Sequence, residues 1–121
     1  MRSLVKGFKA LSDETRVRIV NLLLERECCV CEVVQALQVS QTRASRNLGM
    51  LYDAGFLSMR KDGLWSLYSL DWQSMPQHCR GMLEAVRTGL EGDERAVADR
   101  ERLRSAVRVG PACAACGEGR S

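Results

Sequence analysis

The strongest chemical signal in the sequence is a group of cysteines: Cys28, Cys29 and Cys31 lie within four positions. Thiolates bind soft metal and metalloid ions, and they also oxidise to disulfides. Cysteine is a modest helix former, so three of them near the start of a helix add little to local stability. The cluster therefore predicts an ion-binding or redox-sensing site.

The other cysteines offer further sulfur ligands. Cys113 and Cys116 form a single Cys-x-x-Cys pair near the end of the sequence, and Cys79 lies on the apolar stripe of a predicted helix. A complete zinc site would need a second such pair or two histidines, and the chain has one histidine, His78. Cys28 is the first choice for a third ligand, followed by Cys113 or Cys116 and then Cys79, for which a buried core thiol is favoured.

The length, net charge and apolar content of the chain narrow the kinds of protein that it could be. The chain has 121 residues, enough for one compact domain, and its 18 basic against 15 acidic residues give a net charge of +3. This excess permits nucleic-acid binding without requiring it. No apolar run reaches the roughly 18 residues of a membrane span, and the N-terminus lacks a signal-peptide core. We therefore expect a cytoplasmic protein without a membrane partner, in a compartment that keeps its thiols reduced.

The elements that must position these thiols follow from periodicity and capping signals. Apolar residues recur at helical spacing in four segments before residue 54, and Ser40 is a good N-cap for the fourth. Two alternating runs then flank Asp62-Gly63, which predicts a β-hairpin. A further helix follows Pro76. We assign residues 1–92 to a DNA-binding and dimerisation domain, and residues 93–121 to a charged helical extension, solvated along its length, with a flexible cysteine-containing tail.

This order of elements predicts a winged helix-turn-helix, a mainly α fold with one β-hairpin, in which the fourth helix reads DNA. Its polar residues suit base edges and phosphates, and a basic pair near the hairpin tip would reach the adjacent backbone. The candidate DNA-binding residues are Ser40, Gln41, Thr42, Arg43, Ser45, Arg46 and Asn47 on the helix, with Arg60 and Lys61 on the wing.

From about Phe8 to Leu70, the segments "FKALSDETRVRIVNLL", "CVCEVVQAL" and "SQTRASRNLGMLYDAGFLSMRKDGLWSLYSL" resemble the ArsR/SmtB family of winged-helix metalloregulatory repressors. The resemblance implies a homodimer, joined through the first helix and the helix after Pro76, that leaves operator DNA when an inducer ion binds. It also implies that Cys29 and Cys31 are ligands of As(III) or Sb(III), with no organic cofactor. Two positions depart from the family pattern: Asn47 replaces a histidine, and Val34 replaces the usual third cysteine.

A helical geometry places residues two apart about 200° from each other, so we expect Cys29 and Cys31 to diverge. One ion could then bind both only by unwinding the start of the third helix, and this would couple the ion to DNA binding. The alternatives are a cadmium-, lead- or redox-sensing repressor of the same fold. A thiol oxidoreductase using Cys113 and Cys116 is disfavoured, because no βαβ pattern precedes that pair, and we expect no enzyme activity.

Overall fold

The computed structural model describes residues 1–109, which form six helices and one antiparallel hairpin. In chain order these are α1 (Arg2–Leu11), α2 (Glu14–Leu23), α3 (Val30–Leu37), α4 (Gln41–Asp53), β1 (Leu57–Asp62), β2 (Trp65–Leu70), α5 (Gln77–Gly89) and α6 (Glu94–Ser105). This order is that of a winged helix-turn-helix, as the sequence predicts. None of the helices within residues 1–109 is long and apolar enough to cross a membrane.

The starts of the helices follow from local side-chain chemistry. Asp13 precedes α2, and its carboxylate accepts a hydrogen bond from the Arg16 amide at 3.1 Å. Ser40 has the same role before α4, where its hydroxyl accepts from the Arg43 amide at 3.1 Å. Each cap satisfies one backbone donor that the first helical turn leaves without a partner. The left-handed conformation of Gln38, with φ of 58°, ends α3 and turns the chain toward α4.

The wing is the hairpin of β1 and β2, and its turn lies one residue later than the sequence suggested. Asp62 pairs with Trp65, so the two loop residues are Gly63 and Leu64. Gly63 has φ of 62°, which a two-residue hairpin of this kind requires at its first loop position. The alternation pattern located the strands correctly, and the glycine's place within the turn set the register.

Residues 93–105 differ from the sequence-based expectation of a solvated extension of the preceding helix. Gly92, with φ of 76°, separates α5 from α6, and the Asp93 carboxylate caps α6 by accepting from the Ala96 amide at 3.0 Å. The new helix packs against α2 and α3, burying Asp99 and Leu103. The expectation was wrong because α6 buries an ion pair as well as apolar groups. The division of the chain after residue 92 stays a prediction, and the tail from residue 110 lies outside the described residues.

The core lies between α2, α3, α4 and the wing. Its largest fully buried side chains include Ile19 and Leu22 of α2, Leu48 and Leu51 of α4, and Phe56 just before the wing. These contacts fix the rotation of α4 about its own axis, because its apolar stripe must face the core. The opposite, polar face of α4 is thereby held outward.

Candidate DNA interface and thiol site

The exposed face of α4 carries most of the predicted DNA-binding residues. Ala44, Leu48 and Leu51 are buried on the inner face. Five of the predicted residues are exposed and Gln41 is partly exposed; the exposed ones are Ser40, Thr42, Arg43, Ser45 and Arg46. The first two turns of α4 thus present two guanidinium groups among hydroxyl and amide groups. This is the mixture that contacts phosphates and guanine edges in a major groove.

Asn47 does not belong to that exposed face. It is 6% exposed, its side-chain oxygen accepts a hydrogen bond from Arg16 Nη1 at 2.9 Å, and its Nδ2 donates to the Arg43 carbonyl at 2.9 Å. Arg16 also donates through Nε to the Ala10 carbonyl at 2.6 Å. The placement of Asn47 on the exposed face of α4 was wrong, because its side chain bonds Arg16 of α2, which in turn bonds the end of α1.

The two basic residues of the wing lie on β1, before the turn. Arg60 forms a two-pronged ion pair with Glu27, with Nε and Nη2 at 2.9 and 2.7 Å from the two carboxylate oxygens. Lys61 donates to the Ser66 hydroxyl across the hairpin at 3.0 Å. The bond from Arg60 lowers the pKa of Glu27, outweighing its slight desolvation. Arg60 therefore ties the wing to the residue that immediately precedes the cysteine cluster.

The Cys29 and Cys31 sulfur atoms are in contact, with 2.8 Å between them. Cys29 is the N-cap of α3 and has an extended backbone, with φ of −90° and ψ of 171°, so it lies outside the helical turn that begins at Val30. The predicted 200° divergence was therefore wrong, as was the inference that α3 must unwind before one ion can touch both sulfurs. We call Cys29 and Cys31 the thiol pair; both are buried, with Leu67 of β2 packed against them.

Cys28 points the other way. Consecutive side chains of an extended segment project to opposite sides, and Cys28 packs into the main core while its neighbour joins the thiol pair. Its backbone forms a two-hydrogen-bond bridge with Tyr68 of β2, at 3.0 and 2.8 Å. Burial, followed by the charge of Glu32, raises the pKa of the Cys28 thiol to about 12. The structure thus does not place Cys28 beside the thiol pair as a third ligand.

The remaining sulfur candidates are also apart from the pair. Cys79 belongs to α5 and is buried in the main core, as the sequence favoured. Cys113 and Cys116 lie beyond the described residues. Within residues 1–109 no group of three His, Cys, Asp or Glu side chains is arranged to hold a metal ion.

Glu32 organises the charge around the thiol pair. Its carboxylate accepts from the Cys29 amide at 2.9 Å and pairs with Arg26 at 2.7 Å and with Arg108 at 3.2 Å. Although burial alone would raise the pKa of Glu32, the bonds from the Cys29 amide and the two arginines lower it. The carboxylate is thus ionised and compensated within a buried setting.

Sequence reasoning missed several residues that surround the thiol pair. Glu32 is signalled only weakly, as an acidic residue three positions after the N-cap, which is the spacing of a capping box. Trp65 packs against the cluster that contains the pair. Arg108 pairs with Glu32 across 76 positions of sequence, and no local pattern announces contacts of that range.

Known proteins resemble this chain in sequence and in fold. The family model for bacterial regulatory proteins of the arsR family matches residues 13–58. The arsenic resistance regulator ArsR1 of Pseudomonas putida is 44% identical over 80 residues, covering 65% of this chain and 62% of that protein. The related regulator ArsR2 of the same organism is 41% identical, and the match covers 65% of this chain and 69% of ArsR2.

A homolog of the cadmium resistance regulator CadC from Staphylococcus aureus is 45% identical over 73 residues, covering 60% of each chain. The matches to ArsR1 and to the CadC homolog thus span less than two thirds of those relatives' own length. Among solved structures, the homodimeric winged helix-turn-helix domain of Mb0332 from Mycobacterium bovis superposes with a TM-score of 0.63 at 22% identity. That superposition covers 77% of this chain and 82% of the other, and supports the fold. With these matches in sequence and fold, the chain belongs to the ArsR family of bacterial regulatory proteins.

Proposed function

We propose that this chain is a transcriptional repressor of an arsenic-resistance operon, released from operator DNA when arsenite or antimonite binds the thiol pair. The observation that carries the proposal is the 2.8 Å contact between the Cys29 and Cys31 sulfurs at the start of α3. Trivalent arsenic and antimony are soft ions that favour thiolate ligands. The family is one of transcription regulators, so we assign the chain no catalytic reaction, and we place its action in the cytoplasm, on double-stranded DNA.

The route from ion to DNA runs through the wing. An ion inserted between the two sulfurs has to widen a 2.8 Å separation, and Leu67 of β2 packs directly against them. β2 is hydrogen-bonded to Cys28 through Tyr68, and Arg60 of β1 is bonded to Glu27. A shift at the thiol pair is thereby transmitted to both wing strands, since close-packed side chains cannot absorb it locally.

A homodimer joined through α1 and α5 fits the exposed surface. α1 packs against α5 and leaves Leu4, Val5 and Phe8 between 38% and 57% exposed. Apolar residues grouped on one face of a helix are typical of a surface that another chain covers. The structural relative Mb0332 is described as homodimeric. Two copies would present two α4 helices to successive turns of the major groove.

Operator binding by fluorescence anisotropy, with and without arsenite, tests the proposal. We expect arsenite to weaken the wild-type complex by about 5- to 150-fold, the range of typical allosteric coupling. The Cys29→Ser, Cys31→Ser double variant should bind operator normally and ignore arsenite. Cys79→Ala is the matched control, since it removes a buried thiol away from the pair. Arsenite release that persists in the double variant would exclude the thiol pair as the sensor.

The second candidate function is a cadmium- or lead-sensing, or redox-sensing, repressor of the same fold. The identity to the CadC homolog, 45%, is comparable with the 44% identity to ArsR1, and it favours the cadmium version. The sulfur contact favours the redox version, because two adjacent thiols can oxidise to a disulfide. Operator release by cadmium or peroxide at concentrations where arsenite has no effect would support this candidate over the first.

A further inference from the structure

Trp65 of β2 carries a buried hydrogen-bond donor that has no acceptor among residues 1–109. Its indole Nε1 atom is shielded from solvent, and it is the one buried side-chain nitrogen or oxygen in this part of the chain that lacks a partner. An unpaired buried N–H group is destabilising and is rare in native proteins. The donor is therefore suited to a ligand that brings an acceptor with it.

This donor belongs to the cluster that contains the thiol pair. Trp65 and Leu67 are two positions apart on β2, so their side chains project from the same face of the hairpin. Leu67 is fully buried against Cys29 and Cys31, and Trp65 packs on the same cluster. An ion that enters between the two sulfurs therefore arrives in the cluster to which the indole ring belongs.

A hydrogen-bond acceptor is also present next to the pair. The Val107 carbonyl oxygen lies 4.0 Å from the Cys31 sulfur and accepts a hydrogen bond from Gln35 Nε2 at 2.7 Å. A carbonyl oxygen has two lone pairs, and a thiol is only a weak donor to the second, so this oxygen can accept another bond. The surroundings of the pair thus offer an N–H donor and a carbonyl acceptor, the two kinds of partner that one hydroxyl group requires.

We propose that the thiol pair binds trivalent arsenic as a dithiolate that keeps one hydroxide, and that the Trp65 N–H group donates a hydrogen bond to the oxygen of that hydroxide. This inference rests on the function proposed above. Arsenite enters as As(OH)₃. Two As–O bonds break, two As–S bonds form to Cys29 and Cys31, and each thiol proton leaves with a hydroxide as water. The third As–O bond stays intact, and no electron is transferred.

The consequence is selectivity for an arsenic species that retains an oxygen. Methylarsonous acid, CH₃As(OH)₂, also exchanges two hydroxides for two thiolates, but its third position then holds a methyl group. A methyl group is close to a hydroxide in size and cannot accept a hydrogen bond. It would leave the buried Trp65 donor unpaired, whereas the hydroxide of bound arsenite pairs with it.

Isothermal titration calorimetry with both arsenic species, in buffer without added thiols, tests this selectivity in the wild type and in Trp65→Phe. Phenylalanine keeps an aromatic ring against the cluster and removes the N–H group. We expect Trp65→Phe to weaken arsenite binding about tenfold and to leave methylarsonous acid binding unchanged. Trp72→Phe, which changes a tryptophan packed on the main core, is the matched control and should alter neither affinity. Equal losses for the two species would mean that Trp65 acts through packing alone, and would overturn the inference.

The indole N–H group can also be observed directly. The chain has two tryptophans, so a heteronuclear NMR spectrum contains two indole signals, and the one that persists in Trp72→Phe is that of Trp65. We expect arsenite to shift the Trp65 indole proton downfield, because it gains an acceptor, and methylarsonous acid to shift it much less. The same shift with both species would contradict a bond to the retained hydroxide.

Two further results separate this inference from the function on which it rests. X-ray absorption on the arsenite complex should find two sulfurs and one oxygen bound to arsenic; three sulfurs would overturn the retained hydroxide while leaving the thiol pair in the sensor. Arsenite binding and operator release that survive Cys29→Ser, Cys31→Ser would overturn the proposed function and this inference together.

Discussion

Replacing Asp99 with alanine tests whether α6 is a structural part of the domain. Asp99 is fully buried, and its carboxylate accepts from Arg18 Nε at 2.8 Å and Nη2 at 3.0 Å, and from Arg102 at 2.6 Å. Arg18 Nη2 also donates to the Leu37 carbonyl, so one carboxylate links α6 to α2 and to the end of α3. The hydrogen bonds that Arg18 donates to Asp99 raise the pKa of Arg18 despite its burial.

Asp99→Ala removes the shared carboxylate and leaves Arg18, whose side chain is 15% exposed, charged without its partner. Breaking a buried ion pair on one side costs about 3–5 kcal/mol. For a chain of this length that loss lowers the melting temperature by about 12–20 °C. The free energy of unfolding is measured in urea at neutral pH. Glu101→Ala, an exposed acidic residue on the same helix, should stay within about 0.5 kcal/mol of wild type.

The double variant Arg18→Ala, Asp99→Ala completes a thermodynamic cycle. Because removal of both charges leaves no uncompensated guanidinium on Arg18, we expect its loss of stability to be smaller than the sum of the two single losses. Strict additivity would mean that the two side chains do not interact in the folded state. A loss below about 1 kcal/mol for Asp99→Ala alone would likewise refute the assignment of α6 to the core of the domain.

Three further predictions concern the surroundings of α4 and of the thiol pair. In Trp72→Phe, Trp65 is the one remaining tryptophan; it packs against the thiol-pair cluster, so arsenite should change its fluorescence, and unchanged emission at saturation would contradict the site. Asn47→Ala removes the buried oxygen that accepts from Arg16 Nη1 and should cost about 1–3 kcal/mol in urea unfolding; a neutral effect would contradict the buried contact. The folded pKa of Glu32 lies below its ordinary 4.5, so its carboxylate stabilises the fold above that pH and loses the effect as pH falls through the lower value. The stability difference between wild type and Glu32→Gln should therefore shrink in acid. A difference that stays constant with pH would argue against a lowered pKa of Glu32.

The elements with local signals were predictable from the sequence. Ser40 begins α4 and Asp53 ends it, because a serine cap and an apolar stripe each act within a few residues. The wing could also be predicted, since the alternation of its strands and the Asp62-Gly63 pair are short-range features of the sequence. The outward face of α4 followed from its apolar stripe, so the candidate residues of α4 other than Asn47 are exposed or partly exposed as expected, and their contact with DNA stays a prediction.

The geometry of the thiol pair was not predictable, since it depends on where α3 begins. A start before Cys29 would send the two sulfurs to opposite sides, whereas a start at Val30 makes Cys29 an extended cap and brings them together. The Glu32 side chain, held by Arg26 and Arg108, accepts from the Cys29 amide and so secures that cap. Arg108 comes from the far end of the chain, and such long-range partners leave no mark on local sequence.

A preformed thiol pair changes which part of the domain can respond to an ion. Folding has already brought the two sulfurs together, so the free-energy cost of ordering them when an ion binds is small. The helical turn of α3 can stay intact, and the groups that must yield are those next to the pair, Leu67 of β2 and the Val107 carbonyl, whose oxygen lies 4.0 Å from the Cys31 sulfur. In the proposed function the wing is the part that shifts with β2, while α4 is also held by its contacts with α2 and α3. Wing contacts with the DNA backbone contribute affinity but no direct sequence information. Arsenite should therefore weaken binding to operator and to unrelated DNA by similar factors, leaving the sequence preference of α4 unchanged.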